Sequence, residues 1–189
     1  MTDIMHVINL YKRTDRAIAL INQFKTHPVP VMFWEGVLSE KTPAANINKA
    51  HKAIVQYAKD KGLPYVIIAE DDIVFADKGA WEFYLKNMPT DFDLYLGMVY
   101  SAQVEGNRII NGFSGLTLYA INSRFYDFFL SMPPAVHIDR HMGQYAYKYK
   151  YFICPEYVCY QSGGYSDNLK RQMTYEPLLE GKVMYKSKI

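Results

Sequence analysis

The sequence predicts an α/β fold with a mixed sheet. Short apolar runs alternate with helical periodicities through residues 4–89, the pattern of a parallel sheet covered by helices. A hairpin-rich stretch through residues 94–121 then adds further strands. The 189 residues, half of them hydrophobic, suit one domain whose core needs no metal or disulfide staple.

Taken in order, Ile4 to Leu10 reads as a buried strand. Thr14 stands where a helix cap belongs, and Ala17, Ile18, Ile21 and Phe24 recur at helical spacing. Pro28 and Pro30 bracket a turn before a short strand, Val31 to Trp34. Thr42 followed by Pro43 predicts a helix start, a capping hydroxyl before a proline at the first helical position. Ile47, Ala50, His51, Ile54 and Ala58 line one face of that helix, and Gly62 stops it. Tyr65 to Ala69 is a near-continuous apolar run, a strand covered on both faces. Trp81, Leu85 and Met88 mark a helix that ends by Pro89. Leu94 to Leu96, Met98 to Val104 and Arg108 to Ile110 read as strands, with a turn at Glu105, Gly106 and Asn107, and Leu116 to Ile121 adds another. Asn122 caps a helix carrying Phe125, Phe128 and Phe129, and a shorter helix follows His137. Tyr151 to Ile153 and Tyr157 to Tyr160 are late strands; from Gln161 on, glycines, lysines and polar residues predict loose order.

Composition excludes several function classes. Lys plus Arg is 21 and Asp plus Glu is 19, a net charge of +2, too small to argue for a nucleic-acid coat or a membrane-binding surface. No apolar run nears the roughly 20 residues of a membrane span, and the opening residues lack the basic and apolar regions of a signal peptide. Cys154 and Cys159 make neither a disulfide framework nor a zinc site; their odd offset would turn them to opposite faces of a strand. The expectation is a reduced cytoplasmic protein, peripheral to a membrane at most. The 17 tyrosines suit sugars, bases or protein partners, or simply an aromatic-rich core.

The strongest chemical signal is Glu70-Asp71-Asp72, three consecutive carboxylates between two buried apolar runs. Such a triplet is costly unless something positive compensates. A hard divalent cation is the simplest compensator, and the carboxyl end of a strand in an open α/β sheet is where ligands gather. On an extended backbone Glu70 and Asp72 point one way and Asp71 the other. The alternative is a solvated acidic turn paired with nearby cations. A second, weaker signal is Lys12, Arg13 and Arg16 between the first strand and helix, a place suited to phosphate, although such basic turns are more often a solvated surface.

In chain order these segments resemble glycosyltransferase family 25, which contains lipooligosaccharide and collagen galactosyltransferases. The resemblance is carried by Val7-Ile8-Asn9-Leu10 with Arg13 and Asp15-Arg16, by Lys49-Ala50-His51, by Glu70-Asp71-Asp72, by Phe92 to Gly97, by Gly115 to Ile121, by Ile138-Asp139 and by Pro155 to Gln161. Ala50 departs from the serine usual before the histidine, and Ile47-Asn48 from a frequent glycine and cysteine. The resemblance implies a GT-A-like fold with a Rossmann-like nucleotide-binding half: a single catalytic domain over residues 1–160 and a C-terminal tail or lid over 161–189. It implies an inverting hexosyltransferase that moves a sugar such as galactose from a nucleotide-sugar donor to a saccharide acceptor such as lipooligosaccharide, using Mn²⁺ or Mg²⁺. It assigns the metal to Asp72 and Glu70, the donor to Asn9, Arg13, Arg16, His51, Glu70 and Asp71, and the base to Asp139. A protein or modified nucleic-acid base as acceptor, or a non-catalytic nucleotide-sugar-binding domain, are the alternatives; the small basic excess permits nucleic acid without favouring it.

Several residues carry two readings. Asp139 fits a helix cap or a catalytic base. His51, on an apolar helix face, fits a packed histidine or a donor-pocket residue, and His137 and His141 fit surface positions or metal reach. Gly163-Gly164 fits a lid hinge or an ordinary turn. The Tyr145 to Tyr151 run, interleaved with Lys148 and Lys150, fits binding to an anionic acceptor, a membrane surface or single-stranded nucleic acid, or a helix end with solvated lysines.

Overall fold

A computed structural model of the chain describes residues 3–167 and 170–187. The elements run β1 (Met5–Asn9), α1 (Thr14–Thr26), β2 (Val31–Glu35), α2 (Pro43–Asp60), β3 (Tyr65–Glu70), β4 (Ile73–Phe75), α3 (Ala80–Lys86), β5 (Leu94–Leu96), β6 (Ser101–Glu105), β7 (Arg108–Ser114) and β8 (Leu118–Asn122). They continue with α4 (Tyr126–Ser131), α5 (Ile138–Gly143), β9 (Tyr151–Ile153), β10 (Cys159–Gln161), β11 (Gly164–Ser166) and β12 (Arg171–Met173). Among the described residues, eight strands form one sheet in the order β2-β1-β3-β8-β5-β9-β7-β6. β1 is parallel to β2 and β3, β8 is antiparallel to both β3 and β5, and β6, β7 and β9 complete an antiparallel wing. The mixed α/β sheet with a parallel, Rossmann-like first half is the class the sequence predicts.

Alternation along β3 explains why this sheet is buried on both faces. Val66 and Ile68 enter one core with Ile54, Val55 and Ala58 of α2 and Phe129 of α4. Ile67 and Ala69 enter the other with Leu20 of α1, Trp81 and Tyr84 of α3, and Cys159. Successive side chains of a strand point to opposite faces, so one apolar run serves two cores. Aromatic residues supply much of both. Tyr84 and Tyr95 stack at 4.6 Å, and Phe125, Phe128 and Tyr149 form a cluster that also takes in Tyr151. Of the Tyr145 to Tyr151 run, Tyr151 is fully buried and Tyr147 is 70 % exposed, while Lys150 pairs with Asp91.

The start of α2 is as the sequence predicts: Thr42 accepts the Ala45 N–H at 3.2 Å, with Pro43 at the first position. Gly62, at φ +61°, takes the left-handed turn after it. α1 differs. Its cap position is Arg13, with no side-chain cap bond, and Thr14 is already helical. Leu20 is its buried residue, whereas Ile18 and Ile21 are 58 % and 50 % exposed. The inward stripe includes Gln23, a polar residue that bonds the backbone of Ile73 and Phe75 and so escapes a purely apolar count. Met98 to Val104 is also shorter as a strand than expected, beginning at Ser101, and Arg108 to Ile110 extends to Ser114.

The late chain departs most from expectation. Cys154 and Cys159 are both buried free thiols in the same core rather than on opposite faces of one strand, because Cys154 follows β9 and Cys159 opens β10. The strand expected from Tyr157 to Tyr160 runs Cys159–Gln161 and pairs antiparallel with β4. Residues expected to be loose instead fold back: β11 and β12 form a hairpin, a 3₁₀ turn spans Glu176–Leu179, and Tyr185 packs on Phe83 at 4.7 Å. Residues 168, 169, 188 and 189 of this segment lie outside the described residues. Among the described residues, no helix is long and apolar enough to cross a membrane.

α5 is seated on the sheet through one glycine. A Cβ on Gly143 would stand 2.7 Å from the Phe113 backbone nitrogen and 3.0 Å from the Gly112 Cα. Backbone cannot yield as a flexible side chain can, so Gly143→Ala is expected to cost about 1–3 kcal/mol as overpacking does, and about 2–4 °C in Tm per kcal/mol. Thermal melts of the variant check this; an unchanged Tm would show that α5 is not held in place by this contact.

Candidate active site

The acidic triplet sits where β3 leaves the sheet. Glu70 makes the strand's last ladder bond, its N–H donating to the Thr117 carbonyl at 3.1 Å. Asp71 and Asp72 then turn the chain into β4, whose Ile73 and Phe75 are buried. Core contacts on both sides therefore hold the acids down: Asp71 is 9 % exposed and Asp72 6 %. Asp71 and Asp72 form a turn rather than extended chain, so the carboxylates do not divide cleanly: all three line one cavity, and Arg16 Nη1 reaches both Asp71 and Asp72. Asp71 accepts from Arg16 at 2.6 Å and from the Asn9 amide at 2.8 Å. Glu70 and Asp72 converge on one Gln161 amide nitrogen, 3.0 Å from an oxygen of each.

Positive charge here is short. Arg16 also pairs with Asp72 at 3.2 Å, but among the described residues no Lys or Arg lies within ion-pair reach of Glu70, whose nearest basic group is His51 Nε2 at 3.8 Å. Burial pushes the carboxyl groups of Glu70 and Asp72 well above the usual carboxylate range. Repulsion from Asp71 adds to this in both, as Asp72 and Asp139 do at Glu70, and Arg16 opposes it. Burial also pushes His51 down to about 3, so its imidazole is neutral. Its Nδ1 lies 2.5 Å from the Tyr119 hydroxyl, a phenol that burial holds in its protonated form. A hydroxyl donating to Nδ1 leaves Nε2 bearing its hydrogen toward Glu70.

Two of the expected residues lie elsewhere in this geometry. Arg13 is taken up by Asp15 at 2.8 Å, Asp167 at 2.7 Å and the Tyr165 carbonyl, and thereby ties the β11–β12 hairpin to the turn before α1. Asp139 is not the cap of α5, a position held by His137; it sits in the first turn and accepts from the Gly115 and Arg140 N–H groups at 3.0 and 2.8 Å. Its charge adds to the repulsion that Glu70 feels, but it does not line the cavity that Glu70 faces. His137 is exposed, and His141 packs on the Tyr145 ring.

Arg16, His51, Glu70, Asp71, Asp72 and Gln161 line a cavity of about 210 Å³, roofed in part by Tyr175. It continues, through Ile8, Leu10, Ile47 and Asp167, into a larger one of about 370 Å³ that reaches Lys12, Lys41 and the start of α2. Gln161, Tyr100 and Tyr175 are the residues to which the sequence alone assigns no role. Tyr100 donates to Gln161 Oε1 at 2.9 Å and stacks on Tyr175 at 5.4 Å. Nothing local marks them, because each acts on a group far away in sequence.

The acids fit a divalent cation. Glu70 and Asp72 offer hard oxygen donors within reach of a single point, and among the described residues Asp72 Oδ1 is buried with no hydrogen-bond partner. Among the described residues no group of three or more His, Cys, Asp and Glu side chains is arranged to hold an ion. Two carboxylates nevertheless suffice for a cation that takes its remaining oxygens from water and phosphate.

No protein-family profile matches the sequence, and no curated protein matches it. Solved structures do. A197 from STIV is similar over 100 % of this chain and 99 % of that one, at 9 % identity and a TM-score of 0.53. A glycosyltransferase involved in glycosylation of the major capsid of PBCV-1 matches over 81 % of each chain, at 10 % identity and a TM-score of 0.47. A Drosophila β-1,4-galactosyltransferase 7 variant in complex with manganese, UDP-Gal and xylobiose matches over 99 % of this chain and 82 % of that one, at 9 % identity and a TM-score of 0.46. Likeness at this level is one of fold.

The acids, Asp72 buried and Glu70 partly exposed, make stability depend on pH. Glu70 holds its proton more tightly in the folded chain than in the unfolded one, from pH 4.5 to about 8. The unfolded state then binds fewer protons, and stability falls as pH rises through that window. His51 contributes the opposite slope only below its ordinary value of 6.5. Without divalent cation, Tm is therefore expected to fall between pH 6.5 and 8, and Glu70→Gln to flatten the fall. Differential scanning calorimetry checks this; a wild-type Tm that rises across the window would contradict the charge deficit.

Proposed function

We propose that the chain is a metal-dependent, inverting glycosyltransferase of GT-A-like, family-25-like character that uses a nucleotide-sugar donor and a saccharide acceptor of the lipooligosaccharide kind. One observation carries this reading: a carboxylate pair short of positive charge, Asp72 buried and Glu70 partly so, opens at the carboxyl ends of β1 and β3 onto a cavity that runs on into a second. Ligands of open α/β sheets bind at such strand ends.

Asp72 and Glu70 would hold Mn²⁺ or Mg²⁺, which when bound neutralises the charge that develops on a leaving diphosphate. Arg16, held between Asp71 and Asp72, keeps a fixed positive charge beside that position. Asn9 and Arg16 together hold the Asp71 carboxylate. The larger cavity, with Ile8, Leu10 and Ile47 on its wall and Lys12 and Lys41 at its edge, suits the nucleoside. Arg13 serves the donor indirectly, by fastening the hairpin that roofs the site. His51 sets the orientation of Glu70 from behind.

An inverting transfer needs a base on the acceptor side, opposite the diphosphate. Asp139 suits that role. Two backbone N–H groups fix its carboxylate, one on each oxygen, and each oxygen keeps a further lone pair for an acceptor hydroxyl. The stacked Tyr100–Tyr175 pair beside the acids gives a flat face suited to a sugar ring.

Titration calorimetry with UDP, with and without Mn²⁺, tests the donor site. Binding is expected to depend on the metal, and Asp72→Asn to abolish that dependence; equal affinities in all four conditions would sink the metal site. Arg16→Ala is expected to weaken UDP binding by about tenfold to a hundredfold, the value of one charge-assisted hydrogen bond.

Turnover with a panel of nucleotide sugars tests the base. Asp139→Asn is expected to lower the rate by about 10²–10⁴-fold, as loss of a positioned base does, with donor affinity unchanged. Near-full turnover would leave Asp139 as a tether between Gly115 and α5. A product that keeps the donor's anomeric configuration would remove the need for a base.

A further inference from the structure

Gln161 occupies an unusual position. Its backbone is fixed by strand pairing opposite Ile73, and the next residue donates its N–H to the Asp72 carbonyl at 2.8 Å. The side chain thus starts from a rigid ladder beside the acids rather than from a mobile loop. Its amide nitrogen lies 3.0 Å from Glu70 Oε2 and 3.0 Å from Asp72 Oδ2, the point that a cation shared by both carboxylates would take. Its carbonyl oxygen faces outward and accepts from the Tyr100 hydroxyl at 2.9 Å. Among the described residues Asp72 Oδ1, which is buried, has no hydrogen-bond partner.

An amide has two ends of opposite character and nearly equal size. A half-turn about the last side-chain bond would place Oε1 where Nε2 now stands and present the NH₂ group to Tyr100. A phenol hydroxyl both donates and accepts, so Tyr100 satisfies either orientation. With no cation present, the acids select the N–H end. A divalent cation between them would repel that end and attract the carbonyl, and side-chain amide oxygens are among the donors hard cations accept.

We propose that Gln161 is a two-state residue of the metal site. In the metal-free protein its N–H groups hold Glu70 and Asp72 together; with a divalent cation bound, its carbonyl turns inward and becomes a third protein ligand. This rests on the reading of Glu70 and Asp72 as metal ligands. It also accounts for a neutral residue here: a glutamate would place a further carboxylate in a cluster already short of positive charge.

The test is Mn²⁺ alone, titrated into the full chain and followed by the electron paramagnetic resonance signal of free Mn²⁺. Wild type, Gln161→Met, Gln161→Glu and Asp72→Asn are compared, with thermal melts in EDTA and in Mn²⁺. Gln161→Met keeps the length and removes the oxygen, and is expected to weaken Mn²⁺ binding by about tenfold to a hundredfold, the range in which lost metal-site partners fall. Gln161→Glu is expected to melt below wild type in EDTA and above it in Mn²⁺, a readout that needs neither activity nor a folded methionine variant. Mn²⁺ bound by Gln161→Met as tightly as by wild type, or more tightly, would show that the amide only competes with the metal. Failure of Gln161→Glu to gain on wild type in Mn²⁺ would overturn the proposal as well. Failure of the underlying site looks different: wild type then binds no Mn²⁺, or Asp72→Asn binds it equally.

Discussion

The structure turns on burying like charges side by side. β3 and β4 are both apolar, both packed into the core, and joined by a turn made of aspartates. Folding the strands therefore drags carboxylates out of water, and the surroundings answer that cost piecemeal. Among the described residues one guanidinium serves two acids, two amides serve the three of them, and Asp72 Oδ1 is left without a hydrogen-bond partner. A site optimised for stability alone would replace the acids; this one keeps an electrostatic deficit facing a cavity, the usual mark of a place arranged for a charged ligand.

What the sequence shows and what it hides divide along one line. The triplet was legible because charges between two apolar runs conflict locally, within a dozen residues. Thr42-Pro43 and the double-sided burial of β3 were legible for the same reason. The inward face of α1 was not, because a glutamine that bonds the β4 backbone replaces an apolar residue, and two isoleucines stand on the outer side. Gln161 was visible only as part of a family pattern, without a role, since its partners are Glu70 and Asp72, positions 91 and 89 residues away. Asp139 was placed near the right helix start but read as a cap or a base; the tie it makes to Gly115 depends on where β7 delivers that glycine.

The late segment, which composition alone marks as loose, contributes the floor and the roof of the site. The floor is Gln161, carried by the β10–β4 ladder. The roof is the β11–β12 hairpin, fastened by Lys12 and Arg13 to Asp167. These attachments differ in kind. Strand pairing beneath is insulated by the core, whereas Lys12 in the latch above is half exposed and open to screening by salt.

The distance along the chain between Asp72 and Gln161 also sets an order of events. Parallel pairing of β1 with β2 and β3 needs contacts within the first seventy residues, but the acids find their amide only after a loop of 89 residues closes. Closing long loops is the slow part of assembling such sheets. Before it closes, Asp71 and Asp72 already have partners in Asn9 and Arg16, nearer in sequence, whereas the pair Glu70 and Asp72 is bridged by the late segment that carries Gln161.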